Sequence, residues 1–418
     1  MGKYVLRCLS CGRIHNGIPL RCDNNCDSLL RSEYSEKRFL PGKDRNIFKF
    51  SNWLPCEKTI KTGIGPVIMR PEKFSEYFKL KNLYCCFNGY WPEKSAFNMT
   101  ATFKDFEALP TLLTFMENGR KRIILSSAGN TARAFAYATT LVDMDTYLVV
   151  PEKFMDRVWI PDENFSVGRI HLIAVKNSDD YYEAIKIGDQ ISKEKKIFPE
   201  GGAKNVARRD GMSTVMLEFA RVMKKLPDHY FQAVGSGTGA IAAFEACLKI
   251  LGDKKYKNNA LTKLHLVQNA PFIPIYWSWE MKKQIMPDKN LKSQIEKIGK
   301  IHAKVLANRN PPYNICGGVK DVLTASKGSV YSVSNGEALK AAELFEKLEG
   351  VDVSPAASVC LGGLIQALKE KKINRESSIL LNITGGGEKK LKKEHNCKRI
   401  KPEIFIDKKN INDIDRIL

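Results

Sequence analysis

From residue 80 onward the chain alternates short apolar runs with stretches of helical periodicity, the rhythm of parallel strands covered by helices. An apolar run over 122–127 predicts a strand. After the Gly129-Asn130 turn, Ala132, Phe135 and Ala136 share one face of a helix over 131–138. Strands follow at 147–150, closed by Pro151, and at 170–175, then a helix over 181–193. Next, a helix over 211–223 leads into a strand over 230–234, a glycine loop and a helix over 241–251. The pattern closes with a strand over 264–268, helices over 336–348 and 358–368, and a buried strand over 379–383. The predicted fold class is α/β: two doubly wound parallel sheets with a ligand between the carboxyl ends of their strands. Residues 35–95 with 205–390 are expected as the larger domain and 96–204 as the smaller. Residues 1–34 read as a cysteine-rich appendage and 391–418 as a loosely packed basic tail. The irregular stretch 40–66, with Trp53, Pro55 and Pro66, is expected to wrap the surface.

Composition supports a folded, two-domain chain. At 418 residues, 43% hydrophobic and 27% charged, it can fill its cores and is not disordered. No run approaches the ~18–20 uninterrupted apolar residues of a membrane span. The N-terminal segment reaches Cys8 before an apolar signal region is built, so a cytoplasmic protein without a membrane partner is expected. The net charge of +21 raises nucleic acid as a partner. The lysines, however, are scattered through amphipathic segments, and only 389–393 is a basic block. A solvated surface that attracts small anionic substrates, with no nucleic-acid partner, is therefore expected.

Four of the eleven cysteines fall in the first 26 residues as Cys8, Cys11, Cys22 and Cys26. In a cytosolic chain, two such knuckles read as a metal site before they read as disulfides, and four thiolates suit tetrahedral Zn²⁺. The wider spacing of the second pair keeps a metal-free relic of such a ribbon as the alternative.

Chemistry gathers in a few fragments. Gly235-Ser236-Gly237-Thr238-Gly239 lies between a predicted strand and helix, so its N–H groups converge on one anion. A dinucleotide site would need an acidic residue closing the next strand. Asp253 falls in a lysine-rich turn before that strand, which favours a simple phosphate cradle. Ser126-Ser127-Ala128-Gly129-Asn130-Thr131 is a strand-to-helix turn whose N–H groups suit a carboxylate, while the Asn130 amide can meet a phenolic oxygen. Taken alone, that asparagine reads as a helix cap. Lys104 follows Phe103 ahead of an apolar helix, a desolvated setting for an imine-forming amine. Thr384 ends a buried strand before three glycines. Asn205, Arg208 and Arg209 make an anion site, or a surface salt-bridge cluster with Asp210.

In this order, the amine, amide, glycine loop and hydroxyl match the attachments that pyridoxal phosphate needs. Thr102-Phe103-Lys104-Asp105, the Asn130 turn and the 205–211 segment resemble the fold-type II pyridoxal phosphate enzymes, tryptophan synthase β-like in fold, and among them the threonine synthase-like group. The longer blocks 87–94, 201–212, 226–239 and 382–387 resemble the cysteate synthase family within it. The arginine and glycine that usually follow Lys-Asp in threonine synthases are replaced by Phe106 and Glu107, and their Thr-Gly-His-Gly by Thr384-Gly385-Gly386-Gly387. The resemblance implies a β-replacement on O-phospho-L-serine by sulfite, giving L-cysteate and phosphate. Sulfhydrylase and threonine synthase activities are the near alternatives, and a catalytically dead zinc-ribbon protein that binds nucleic acid is the distant one. It implies Lys104 as the catalytic residue, with Asn130, Gly235 to Gly239 and Thr384 also on the cofactor. Ser127, Ala128, Gly129, Thr131, Asn205, Arg208 and Arg209 would meet substrate. A homodimer or higher homo-oligomer follows by analogy.

Overall fold

The computed structural model describes residues 2–161, 168–178, 181–282 and 291–407. Two parallel sheets form its frame. The larger runs in the order Ser329–Val333, Lys263–Asn269, His229–Ala233, Ile379–Ile383, Leu83–Phe87 and Ile68–Met69, with only the last strand antiparallel. The smaller runs Phe198–Pro199, Arg122–Ser126, Asp145–Pro151, Ile170–Lys176 and Ile404–Asp407, all parallel.

The strand Ile379–Ile383 shows why buried parallel strands read as unbroken apolar runs. Leu380 joins the cluster on the face covered by Val206–Met223 and Thr238–Leu251. Ile379, Leu381 and Ile383 join the cluster on the other face, with the helix Pro355–Lys369. The helix Val206–Met223 crosses the helix Asp105–Glu117 at Gly211, where a Cβ would stand 2.0 Å from the Phe106 carbonyl oxygen. A mid-helix glycine weakens the helix by roughly 0.5–1 kcal/mol, but here it alone permits the crossing.

Three expectations change. The segment 40–66 does not wrap the surface. It contains a 3-10 helix, Ile47–Trp53, whose Ile47, Phe48, Phe50 and Trp53 are buried in the main core. The helix expected from 211 starts at Val206, because the Asn205 side chain accepts the Arg208 N–H and caps it. The segment after 391 is not a loose tail as far as it is described: Cys397–Arg399 pairs with Trp159–Pro161, and Ile404–Asp407 completes the smaller sheet. Residues 408–418 of that segment lie outside the described residues.

The cysteine-rich segment is a three-stranded antiparallel ribbon, Ile14–His15, Tyr4–Cys8 and Leu30–Tyr34. It grips the body by backbone hydrogen bonds from Leu29 N–H to Cys316 O (2.9 Å) and from Cys316 N–H to Asp27 O (3.1 Å). Among the described residues no helix is long and apolar enough to cross a membrane.

Candidate active site

A cavity of about 1050 Å³ opens between the two sheets, walled by loops that leave the carboxyl ends of their strands. Lys104, the turn from Ser127 to Thr131, Gly235 to Gly239, Arg208 and Thr384 all line it. Fragments separated by up to 280 residues thus share one wall. Lys104 and Thr384 are joined through backbone: Phe103 N–H donates to Thr384 O at 3.2 Å, and Thr102 bridges Gly385. The three glycines after Thr384 permit that approach. A Cβ on Gly385 would stand 2.7 Å from Ala101 O, and one on Gly386 2.5 Å from Asp352 O.

The Lys104 amine lies 3.2 Å from Glu107 Oε2 and 4.9 Å from the centroid of the Phe103 ring. Burial pushes its ammonium below the ordinary lysine value. Glu107 opposes that shift, and the like charge of Arg208 adds to it. The amine is biased toward the free base, the form that can act as nucleophile or proton acceptor.

Glu107 is the residue that sequence reasoning missed. Fully buried, it also accepts from Thr131 Oγ1 at 3.0 Å and pairs with Arg208 at 3.2 Å. Its signal was a carboxylate three residues after Lys104 on a largely apolar helix, a spacing that returns it to the same face. Arg208 is held in turn by Glu200, at 2.7 and 2.9 Å. Burial opposes its charge, but Glu107 and Glu200 more than offset this and keep it above the ordinary arginine value.

Two expected site residues lie off the cavity wall. Asn205 is buried as the helix cap and donates to Glu200 Oε1 (2.9 Å) and Thr111 Oγ1 (3.2 Å). Arg209 is fully buried, pairs with Glu245 at 3.0 Å, and donates to the carbonyls of Leu30 and Ala203. Neighbouring residues on a helix point about 100° apart, so Arg208 and Arg209 cannot both face the cavity. Ser127 and Thr131 are on the wall but already engaged. Ser127 Oγ accepts the N–H groups of Gly129 and Ala132, both at 3.0 Å, and Thr131 donates to Glu107.

The residues fit a pyridoxal phosphate group. Thr384 Oγ1 is buried and makes no hydrogen bond among the described residues, an orphan that calls for a ligand atom. Gly237, at φ +80°, caps the helix Thr238–Leu251, so the loop's N–H groups open toward the cavity beside a helix N-terminus. Behind the loop, a Cβ on Gly237 would stand 2.4 Å from Val319 Cγ2 and one on Gly239 2.3 Å from Gln232 Nε2. Asp253, the residue a dinucleotide would have needed, instead accepts the Phe39 N–H at 2.7 Å in a remote turn.

The ribbon cysteines also converge. One ligand atom from each of Cys8, Cys11, Cys22 and Cys26 lies within 4.8 Å of the others, and the sulfurs of Cys11 and Cys22 are 3.6 Å apart. Sulfurs at ~2.3 Å from a tetrahedral zinc would be about 3.8 Å apart. Burial disfavours a Cys8 thiolate, but N–H donors at Cys11 and Ser10 outweigh it and bring the thiol down to about 6. Cys26, held against the Cys11 sulfur and then by burial, is pushed up to about 12. Thiols packed so closely ionise together only around a cation, so this cluster could hold a structural metal.

Known proteins agree with this geometry. The family model "Pyridoxal-phosphate dependent enzyme" matches residues 73–385. Among solved structures, a pyridoxal 5'-phosphate-dependent aspartate racemase aligns with TM-score 0.59 over 78% of this chain and 91% of its own, at 14% identity. Maize serine racemase aligns with TM-score 0.57 over 79% and 91%, at 16% identity. At that distance they establish the fold-type II architecture alone. The curated relatives are nearer. The cysteate synthase of Methanosarcina acetivorans is 44% identical over 413 residues, 98% of either chain. That of Methanosarcina barkeri is 43% identical over 404 residues, 96% of either chain. Likeness at this level from ribbon to tail, around a cavity built for the cofactor, places the chain in the cysteate synthase family of pyridoxal-phosphate-dependent enzymes.

Proposed function

We propose that the protein converts O-phospho-L-serine and sulfite to L-cysteate and inorganic phosphate, a β-replacement in which the carbon–oxygen bond at Cβ is exchanged for a carbon–sulfur bond. The observation that carries this reading is the convergence of Lys104, Asn130, Gly235 to Gly239 and the orphaned Thr384 hydroxyl on one cavity, in a chain so similar to curated cysteate synthases. When bound, pyridoxal phosphate supplies an electron sink that acidifies the substrate Cα and lets phosphate leave from Cβ.

The chain's own residues do the rest. Lys104 Nζ would bear the cofactor, and once freed by substrate it takes the Cα proton and later returns it. Thr384, a neutral partner, would meet the ring nitrogen without protonating it, and the Asn130 amide would meet the ring hydroxyl. The N–H groups of Gly235 to Gly239, with the hydroxyls of Ser236 and Thr238, would hold the cofactor phosphate. The turn from Ser127 to Thr131 would take the substrate carboxylate on its backbone. Arg208, fixed by Glu107 and Glu200, faces the departing phosphate or the incoming sulfite. Asn205 acts on it only through the cap and Glu200. Arg209 has no part in binding.

The same reading takes 35–95 with 205–390 as the larger domain and 96–204 as the smaller, the latter joined by Ile404–Asp407. It also takes the protein as a cytoplasmic homo-oligomer that binds small anions and not nucleic acid, with zinc in the ribbon. The test is phosphate release from O-phospho-L-serine by the purified holoenzyme. Release that depends on sulfite is expected. Equal turnover with sulfide, or turnover of phosphohomoserine alone, overturns the proposal.

A further inference from the structure

The cations that line the cavity differ in how they are neutralised. Lys104 and Arg208 are matched by Glu107 and Glu200. Lys304 donates to the carbonyls of Ile298 and Gly299, and Arg309 lies 4.4 Å from the centroid of the Tyr182 ring. Lys193 is exposed at the rim. Arg21 and Lys204 also line the cavity, and the side chain of neither makes a hydrogen bond or ion pair among the described residues. Arg21 comes from the ribbon, immediately before Cys22, and Lys204 closes the short turn Gly202–Lys204.

The two segments that carry them are fitted to each other. Gly201, at φ +92°, leaves a notch filled by Leu20, whose Cδ2 would stand 2.5 Å from a Cβ there. Glu200, which grips Arg208, also accepts the Gly202 N–H at 3.0 Å. Lys204 is held below the ordinary lysine value by burial first and then by the charge of Arg21, so the two cations act on one another. Asp27 and Asp189 share this wall, both exposed and neither within ion-pair distance of Arg21 or Lys204. The Asp27 charge opposes the lowering of Lys204 but pairs with neither cation, so a bound anion could take up the direct contacts that both side chains leave open.

We propose that Arg21 and Lys204 form a binding site for a small oxyanion on the ribbon side of the cavity. The ribbon is then part of the active-site wall as well as a brace. The two sources of such a group are the sulfite that enters and the phosphate that leaves, an assignment that rests on the β-replacement reading.

The test is calorimetric titration of the holoenzyme with sulfite and, separately, with inorganic phosphate, in the wild type and in R21Q, K204Q and the double variant. K254Q, which removes an exposed cation in the remote turn beside Asp253, controls for net charge. About tenfold weaker binding of an anion in R21Q and K204Q, but not in K254Q, is expected for a lost charge-assisted contact. Weakening for sulfite alone assigns the site to the nucleophile, and weakening for phosphate alone assigns it to the leaving group. In turnover the loss would fall mainly on the KM of the corresponding reactant. Wild-type affinity for both anions in the double variant, or no anion binding by the wild type, overturns the proposal. Wild-type anion binding without sulfite-dependent turnover would instead sink the β-replacement reading and leave the site standing.

Discussion

The Glu107 carboxylate lies 3.2 Å from the Lys104 amine, a buried acid beside the group we assign as the base. It stabilises the protonated amine, against burial and the charge of Arg208. Glu107→Gln therefore lowers the pH at which the amine gives up its proton. A downward shift is expected in the pH midpoint for chemical labelling of the Lys104 amine in the cofactor-free protein. An unchanged midpoint would show that the carboxylate serves only to hold Arg208.

Thr384→Ala is expected to leave the fold almost untouched, because the lost hydroxyl has no protein partner. The unfolding midpoint should correspond to a change below about 1 kcal/mol, while cofactor affinity falls clearly. Lys104→Ala should abolish the visible band of the holoenzyme. Normal activity in Thr384→Ala would contradict its placement on the ring nitrogen.

Arg208 and Arg209 are adjacent but should fail in different ways. Arg209→Ala leaves Glu245 buried without its main partner and is expected to cost about 3–5 kcal/mol in denaturant unfolding. Arg208→Lys keeps a charge but loses the two-pronged grip on Glu200, and should raise the KM for phosphoserine. A stable Arg209→Ala protein with impaired substrate binding would reverse the two assignments.

Cys8→Ser is expected to release a stoichiometric metal from the ribbon, measurable by elemental analysis of protein purified without chelators. Wild-type protein with no metal would make the ribbon a relic held by packing alone.

Stability should fall on acidification through His265. Its ring accepts a proton near 6.5 when unfolded, but burial first and then the neighbouring His229 hold it down to about 3 in the fold. The unfolded state therefore binds more protons between those values. The contribution of this group is complete above about 6.5 and is lost, at roughly 1.4 kcal/mol per unit, as the pH falls. The ring stacks 4.4 Å from Phe231 and bonds His229 at 2.8 Å. Urea midpoints at pH 7.5 and pH 5 should converge in His265→Gln; an unaltered pH slope would exclude it as the source.

The parallel sheets were legible because doubly buried strands such as Ile379–Ile383 are continuous apolar runs, and the glycine loop because its residues are neighbours in sequence. Non-local pairing was not legible. Nothing in 404–407 announces a partner at 173–176, and the aromatic residues of 48–53 were discounted because prolines surround them. Which of Arg208 and Arg209 faces the cavity depends on the phase of the helix, set by the Asn205 cap six residues upstream of where the helix was expected. The ribbon's share of the wall was hidden for another reason. Leu20 packs into the notch at Gly201, a contact between segments far apart in the chain that no local pattern announces.

Backbone stitches between Phe103 and Thr384 bind the segment of Lys104, our proposed imine former, to the sheet that also carries the glycine loop. Asn130, by contrast, rides on the other lobe. Lys104, although it lies within 96–204, would therefore keep its register with Thr384 in any rocking of one lobe against the other. A substrate whose carboxylate engages the Asn130 turn could draw that lobe inward without disturbing the seat of the cofactor.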